Sequence, residues 1–306
     1  MSAAREAVTT ATLLIHHAAN RGHNYPPNSL QSLRACLEAR ARVVEVDIIP
    51  LAGGDFALFH DGQLEASTDG TGQVCASTAD RVRHLQYTRQ GVATGEPVGL
   101  LSQAVSLIHV YPHLQELQLD LKPHSPLTDA ILNDLLRIIA PVKGRIRVTS
   151  VADWALRRLR ALNADLNLGF DPLLYLDVEV GKARDETIPP FRVGAYGYRD
   201  DHPLAIRLWG PPAGYLVTRA EALAAQVPAG ATWYINASLL ARALDDGFDW
   251  IAYLHTQGSQ VAAWTLDVDQ PEQVTLAHRL IAVGINRITT NDAPRLATAL
   301  DNTVDF

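Results

Sequence analysis

Arg145-Ile146-Arg147-Val148-Thr149, a helical stretch over Trp154–Leu162, and Leu166-Asn167-Leu168-Gly169-Phe170 form a strand–helix–strand unit. The same rhythm runs outward in both directions. Toward the C-terminus come Thr232–Ile235, a helix from Ser238, Val261–Leu266, a helix near Pro271–Val283, Arg287–Thr290 and a last helix. Toward the N-terminus, Leu117–Lys122 is a strand. It leads into a helix from about Pro126 that carries Ile131, Leu135 and Ile138 and stops before Pro141, which cannot continue it. Earlier still lie the strands Thr12–His17, Val43–Ile48 and Phe56–His60. Between the first two of these, Asn28–Arg40 reads as a helix, with Leu30, Leu33 and Leu37 on one stripe and Asn28/Gln31 at capping-box spacing. Strand–helix units in series without a linker argue for one parallel α/β domain, and eight of them in this length favour a closed barrel over an open sheet. Residues 62–113, opened by the turn Asp69-Gly70-Thr71-Gly72, break the rhythm and read as an insertion subdomain within a single domain spanning 1–306. The stretch 175–215, rich in Pro, Gly and Asp, takes no assignment from its pattern.

The chain has 306 residues, 47% of them hydrophobic, so it can bury a full core and is not a disordered scaffold. Its net charge is −7 and no Lys/Arg cluster exceeds what a solvated helix face carries, which argues against a nucleic-acid partner. An acidic chain that handles an anion needs local positive charge, from a cation or from a few placed Lys/Arg. Two cysteines, Cys36 and Cys75, make no disulfide framework and fit a reducing compartment, with Cys36 on the buried face of a helix. The apolar run Ala11–Ile15 is too short for a secretory segment, and no stretch approaches the length of a membrane span. The expectation is a soluble, cytoplasmic protein.

In a parallel barrel, chemistry gathers at the C-terminal ends of the strands. Strand one ends in His17. Glu45 and Asp47 point the same way at period two. Phe56–His60 ends in His60-Asp61, and Asp120 and Lys122 project together from the face opposite Leu117, Leu119 and Leu121. Each feature alone has a plain explanation. A histidine after a strand is more often a satisfied core or loop residue, and Asp-x-Lys is most often a surface ion pair worth under about 1 kcal/mol. Together they are harder to dismiss, because carboxylates inside a barrel carry a large desolvation penalty unless something compensates them. Glu45, Asp47 and Asp120 suit an oxygen-ligated divalent cation, Mg²⁺ or Ca²⁺. Lys122 supplies fixed positive charge for an anionic ligand, and two histidines offer an acid and a base titrating near neutrality.

The order of these motifs resembles the glycerophosphodiester phosphodiesterase family. That family reads His-Arg-Gly, Pro-Glu-Asn-Thr, Glu-x-Asp, His-Asp, Thr-Asp-Gly-Thr-Gly and Glu-x-Lys. Here stand His17 onward, Pro26-Pro27-Asn28-Ser29, Glu45-Val46-Asp47, His60-Asp61, Thr68-Asp69-Gly70-Thr71-Gly72 and Asp120-Leu121-Lys122. Ala263-Trp264-Thr265-Leu266 is similar to the family's Trp-Thr-Val strand, and Gly284–Asn291 to its Gly-Val-Asp-Gly-Ile-x-Thr-Asp ending. The resemblance implies a (β/α)8 TIM barrel that hydrolyses small-molecule glycerophosphodiesters to an alcohol and glycerol phosphate with a divalent cation. It implies His17 and His60 as the catalytic pair; Glu45, Asp47 and Asp120 as metal ligands; Lys122 on the phosphate; Trp264 beside the substrate; and 62–113 as the subdomain over the mouth.

Three positions depart from the family pattern. Ala18-Ala19-Asn20 replaces Arg-Gly, with Arg21-Gly22 displaced along the chain. Pro27 stands in place of Glu, and Asp120 in place of Glu, as in the related spider-venom sphingomyelinase D branch. Period two favours His17 over its neighbour His16, which stays a rival for the same role. A lysophospholipase D or sphingomyelinase D-like reaction, and a barrel that binds a phosphorylated ligand without turnover, are the alternative functions. The unrelated metal-dependent sugar isomerases share the barrel but do not account for the His-Asp strand end beside the Asp-Gly-Thr-Gly turn.

Overall fold

The computed structural model describes residues 11–22, 25–176 and 212–306, so most of the Pro/Gly/Asp-rich stretch 175–215 lies outside the described residues. The strands are β1 (Leu13–His16), β2 (Val43–Pro50), β3 (Phe56–Leu58), β4 (Gln86–Arg89), β5 (Val92–Pro97), β6 (Glu116–Leu121), β7 (Ile146–Ser150), β8 (Asn167–Phe170), β9 (Thr232–Asn236), β10 (Val261–Trp264) and β11 (Arg287–Thr290). Eight of them run parallel in the order β1-β11-β10-β9-β8-β7-β6-β2, and the pairing of His16 with Val44 closes β2 back onto β1. The protein is a (β/α)8 barrel. Strands buried on both faces need continuous apolar runs on the outside and a mixed set inside, which is how Val44, Val46 and Ile48 alternate with Glu45 and Asp47 in β2.

The helices are α1 (Leu30–Glu38), α2 (Ala79–Val82), α3 (Leu101–His109), α4 (Asp129–Ile139), α5 (Asp153–Leu162), α6 (Pro212–Ala224), α7 (Ala237–Asp245), α8 (Trp250–Thr256), α9 (Pro271–Ala282) and α10 (Ala293–Ala299). Ser29 caps α1 by accepting from the Ser32 N–H, so the cap falls one residue later than the Asn28/Gln31 spacing predicts. Asn28 lies outside it, with a left-handed φ of 63°. Phe56–His60 shortens to β3, which runs antiparallel to β2 and stands outside the barrel wall, leaving His60 in the following loop.

The excursion after β3 has a small core of its own. Leu64, Val74, Val82 and Tyr87 pack with Ile49, Leu51, Phe59 and Val98, beside the β4–β5 hairpin. α3, inside the predicted 62–113 segment, packs against α1 and α4.

The N-terminal end of the barrel is closed by charge. Arg147 grips Glu116 with both ends of its guanidinium (3.0 and 2.9 Å), and Arg287 adds a third contact at 2.6 Å. Burial opposes ionisation of Glu116, but the two guanidiniums overcome it and hold the carboxyl below its usual range. Tyr234 reaches across the interior above them. Gly169 makes room for its ring, since a Cβ there would stand 2.5 Å from Tyr234 Cε2.

Candidate active site

A cavity of about 300 Å³ opens at the C-terminal ends of the strands, and all seven residues singled out in the sequence line it: His17, Glu45, Asp47, His60, Asp120, Lys122 and Trp264. The register of the barrel brings the acids together. Asp47 pairs directly with Asp120 across β2 and β6, and Glu45 sits two residues back on β2. One carboxylate oxygen from each of the three lies within 4.8 Å of the others.

Glu45 and Asp47 are almost wholly buried, and their environments push them apart. Burial, then the neighbouring Asp47 and Asp120, raises the Glu45 carboxyl well above its ordinary range, although the Ala18 N–H donates to its Oε2 at 2.6 Å. Burial also works against charge on Asp47. There the Lys122 ammonium, His60 and the Asn28 amide prevail and keep the carboxyl low. Lys122 Nζ sits between two of the acids, 2.8 Å from Asp47 and 2.6 Å from Asp120, and these carboxylates raise its pKa despite burial. Thr149 donates its hydroxyl to Asp120 Oδ1 at 3.2 Å. Three hard oxygen donors, one of them unable to hold its charge at low cost, fit a divalent cation of the Mg²⁺ or Ca²⁺ kind.

The two N-terminal histidines separate clearly. His16, the last residue of β1, is buried behind the cavity; its Nδ1 faces the Asn20 carbonyl at 3.3 Å, and burial lowers its pKa to about 4. His17 turns into the cavity. Asn291 donates its side-chain and backbone N–H groups to Asp267, at 2.7 and 2.9 Å, which aims its amide oxygen at His17 Nδ1, 2.8 Å away. An oxygen accepts only from a protonated nitrogen, so the network places a proton on His17 Nδ1 and leaves Nε2 outside this contact. His60, also lining the cavity and largely exposed, pairs its Nδ1 with Asp61 at 3.1 Å, while His124 donates to its carbonyl at 3.0 Å. Trp264 is fixed by its indole N–H, which donates to the Tyr234 carbonyl at 3.2 Å.

The turn that presents His17 is strained. Ala18 and Ala19 both have left-handed φ, 49° and 53°, at a cost of about 1–3 kcal/mol each for residues carrying a Cβ. That geometry delivers the Ala18 N–H to Glu45. Ala19 stands where the resembled family has glycine. Arg21 does not enter the cavity; it lines a separate one with Tyr25, Ser32, Ala35, Asp292 and Pro294. Among the described residues, Lys122 is the cation on the active-cavity wall. The partners Asn291, Asp267 and Thr149 were not singled out from the sequence. The position of Asn291 at the end of β11 is a usable signal for it, since barrel chemistry collects at strand ends.

Residues 20–294 match the model of the glycerophosphoryl diester phosphodiesterase family. The chain belongs to this family. Among curated relatives, glycerophosphodiester phosphodiesterase 1 of Mus musculus is 29% identical over 123 residues, covering 38% of this chain and 37% of the relative. The Bos taurus protein of the same name is 31% identical over 120 residues, 37% of this chain and 36% of that one. The chain therefore spans little more than a third of the length of the curated relatives it matches. Two solved structures share the fold. An Oleispira antarctica phosphodiesterase in complex with the product sn-glycerol-3-phosphate has a TM-score of 0.66 at 19% identity, covering 95% of this chain and 97% of that one. A glycerophosphodiester phosphodiesterase from Parabacteroides distasonis has a TM-score of 0.66 at 16% identity, covering 95% and 98%. Among the described residues, no helix is long and apolar enough to cross a membrane.

Proposed function

We propose that the chain hydrolyses glycerophosphodiesters to an alcohol and glycerol phosphate, with His17 and His60 as the acid–base pair and Glu45, Asp47 and Asp120 as ligands of Mg²⁺ or Ca²⁺. The observation that carries this reading is the meeting of three carboxylates, one ammonium and two imidazoles from separate loops and strands around one cavity. A bound divalent cation would draw charge off a phosphate oxygen and make an attacking hydroxyl more acidic. Lys122 stabilises charge on the phosphoryl oxygens as the ester bond breaks. His17, with Nδ1 occupied by Asn291, offers Nε2 to take a proton, or to return one when protonated. His60 lines the same cavity and serves the complementary transfer, so the leaving alkoxide departs as an alcohol. Trp264 forms an aromatic wall for the organic part of the substrate.

The reading includes one catalytic domain, with the segment after β3 as an insertion; the packing of α3 on α1 and α4 supports ending that insertion near residue 100 rather than 113. The two unpaired thiols, Cys36 and Cys75, support a cytoplasmic location.

The test follows ³¹P signals of glycerophosphodiesters that differ in their alcohol, alongside lysolipids. Turnover with Mg²⁺ or Ca²⁺ should disappear in EDTA, and His17→Ala and His60→Ala should each lose about 10²–10⁴-fold in kcat. Unimpaired hydrolysis in EDTA overturns the cation assignment. Binding of diesters without hydrolysis of any of them overturns the enzyme reading, and a cyclic phosphate product moves it to the sphingomyelinase D-like reaction.

A further inference from the structure

We infer that Asn28 is a positioning residue for the cation site, and that the insertion holds that site in shape through Tyr87 and Asn28. The inference rests on the proposed cation-binding role of Asp47.

Asn28 is buried, and a single amide grips Asp47 twice. Its Nδ2 donates to Asp47 Oδ2 at 2.8 Å, and its Oδ1 accepts the Asp47 backbone N–H at 2.9 Å. Binding the carboxylate and the main chain of one residue together fixes the carboxylate's rotation. Oδ2 is turned to the amide, and Oδ1 toward Lys122 and the cavity. The side chain is free for this task because Ser29, not Asn28, caps α1. The left-handed backbone at Asn28 turns the residue back toward β2, a conformation that Asn tolerates better than other residues with a Cβ.

Asn28 is held in turn by its own main chain. Its N–H donates to the Ala18 carbonyl at 2.7 Å, inside the turn that presents His17. Its carbonyl receives the Tyr87 hydroxyl at 3.2 Å. Tyr87 belongs to β4 of the insertion and is fully enclosed; its single proton forks between the Leu58 carbonyl at 2.6 Å, the shorter branch, and the Asn28 carbonyl, while its oxygen accepts the Gly99 N–H at 3.3 Å. The insertion, the β1 turn and a cation ligand thus meet at one asparagine. Groups that orient metal ligands from behind typically account for about 10–100-fold in metal affinity.

The experiment titrates the whole protein with Mg²⁺, Ca²⁺ and Mn²⁺ by calorimetry without substrate, and records thermal unfolding in parallel. Asn28→Gly deletes the amide but keeps the left-handed backbone easy, so it should fold and bind the cation about 10–100-fold more weakly. Tyr87→Phe should weaken binding by a smaller factor. In the double variant, Tyr87→Phe should lower stability but add no further loss of cation affinity, because the route to Asp47 ends at the missing amide. Wild-type affinity in Asn28→Gly overturns the inference. Unchanged affinity in Tyr87→Phe, or an additive loss in the double variant, overturns the link to the insertion. A wild-type protein that takes up none of the three cations overturns the cation reading itself, which the variants are not needed to show.

Discussion

At one end of the barrel Glu116 is enclosed by Arg147 and Arg287; at the other, Asp47 and Asp120 share the ammonium of Lys122 and Glu45 lies beside them without an ion pair to it. β6 contributes to both clusters, Glu116 at its start and Asp120 near its end. At the closed end every charged group has an opposite charge hydrogen-bonded to it, Glu116 to both guanidiniums. The open end has an excess of acid, a carboxyl forced toward its neutral form and a cavity. A buried charge that is matched holds the fold together. A buried charge left unmatched costs stability and is kept where a ligand brings the missing charge.

Substitutions of the same kind at the two ends should therefore have opposite effects. The largest is expected from Glu116→Gln, which leaves two guanidiniums facing a neutral amide and should cost about 3–5 kcal/mol in urea unfolding. A cost below about 1 kcal/mol would break the contrast. His16 gives the next effect, and it depends on pH. Its imidazole is held neutral down to about pH 4, whereas the unfolded chain takes up a proton below 6.5, so stability is lost as pH falls between these values. Between pH 7 and pH 5 the loss should be about 2 kcal/mol, and it should be absent from His16→Leu, as urea unfolding at the two pH values would reveal.

The smallest effect sharpens the comparison most. Folded Glu45 keeps its proton above the ordinary value of 4.5, where the unfolded chain has released it, so the cation-free protein loses stability as pH rises past that point. Glu45→Gln should raise cation-free stability at neutral pH by about 1 kcal/mol while abolishing turnover. A destabilised Glu45→Gln would mean that the open end is as well matched as the closed one.

The barrel was legible because its strands are short apolar runs with turn signals at their borders, and each helix between them carries one apolar stripe. Phe56–His60 carries the same signature, yet β3 hangs on β2 from outside, since hydrophobicity does not say which edge a strand joins. α3 was absorbed into the insertion because its packing on α1 and α4 is a long-range fact. Within the site, period two on β2 and β6 placed Glu45, Asp47 and Asp120 correctly on one side. Asn28 was misjudged: its spacing to Gln31 looks like a cap, whereas its partner is Asp47, across the barrel wall. Asn291, which orients His17, lies at the far end of the sequence, where no local pattern links them.

Gly169 and Tyr234 carry one more consequence. Among the described residues, an aromatic ring laid across the bore and the Glu116 cluster beneath it stop the cavity short of the other end of the barrel. Under the proposed hydrolysis, a phosphorylated product still held by Lys122 would occupy the place its successor needs.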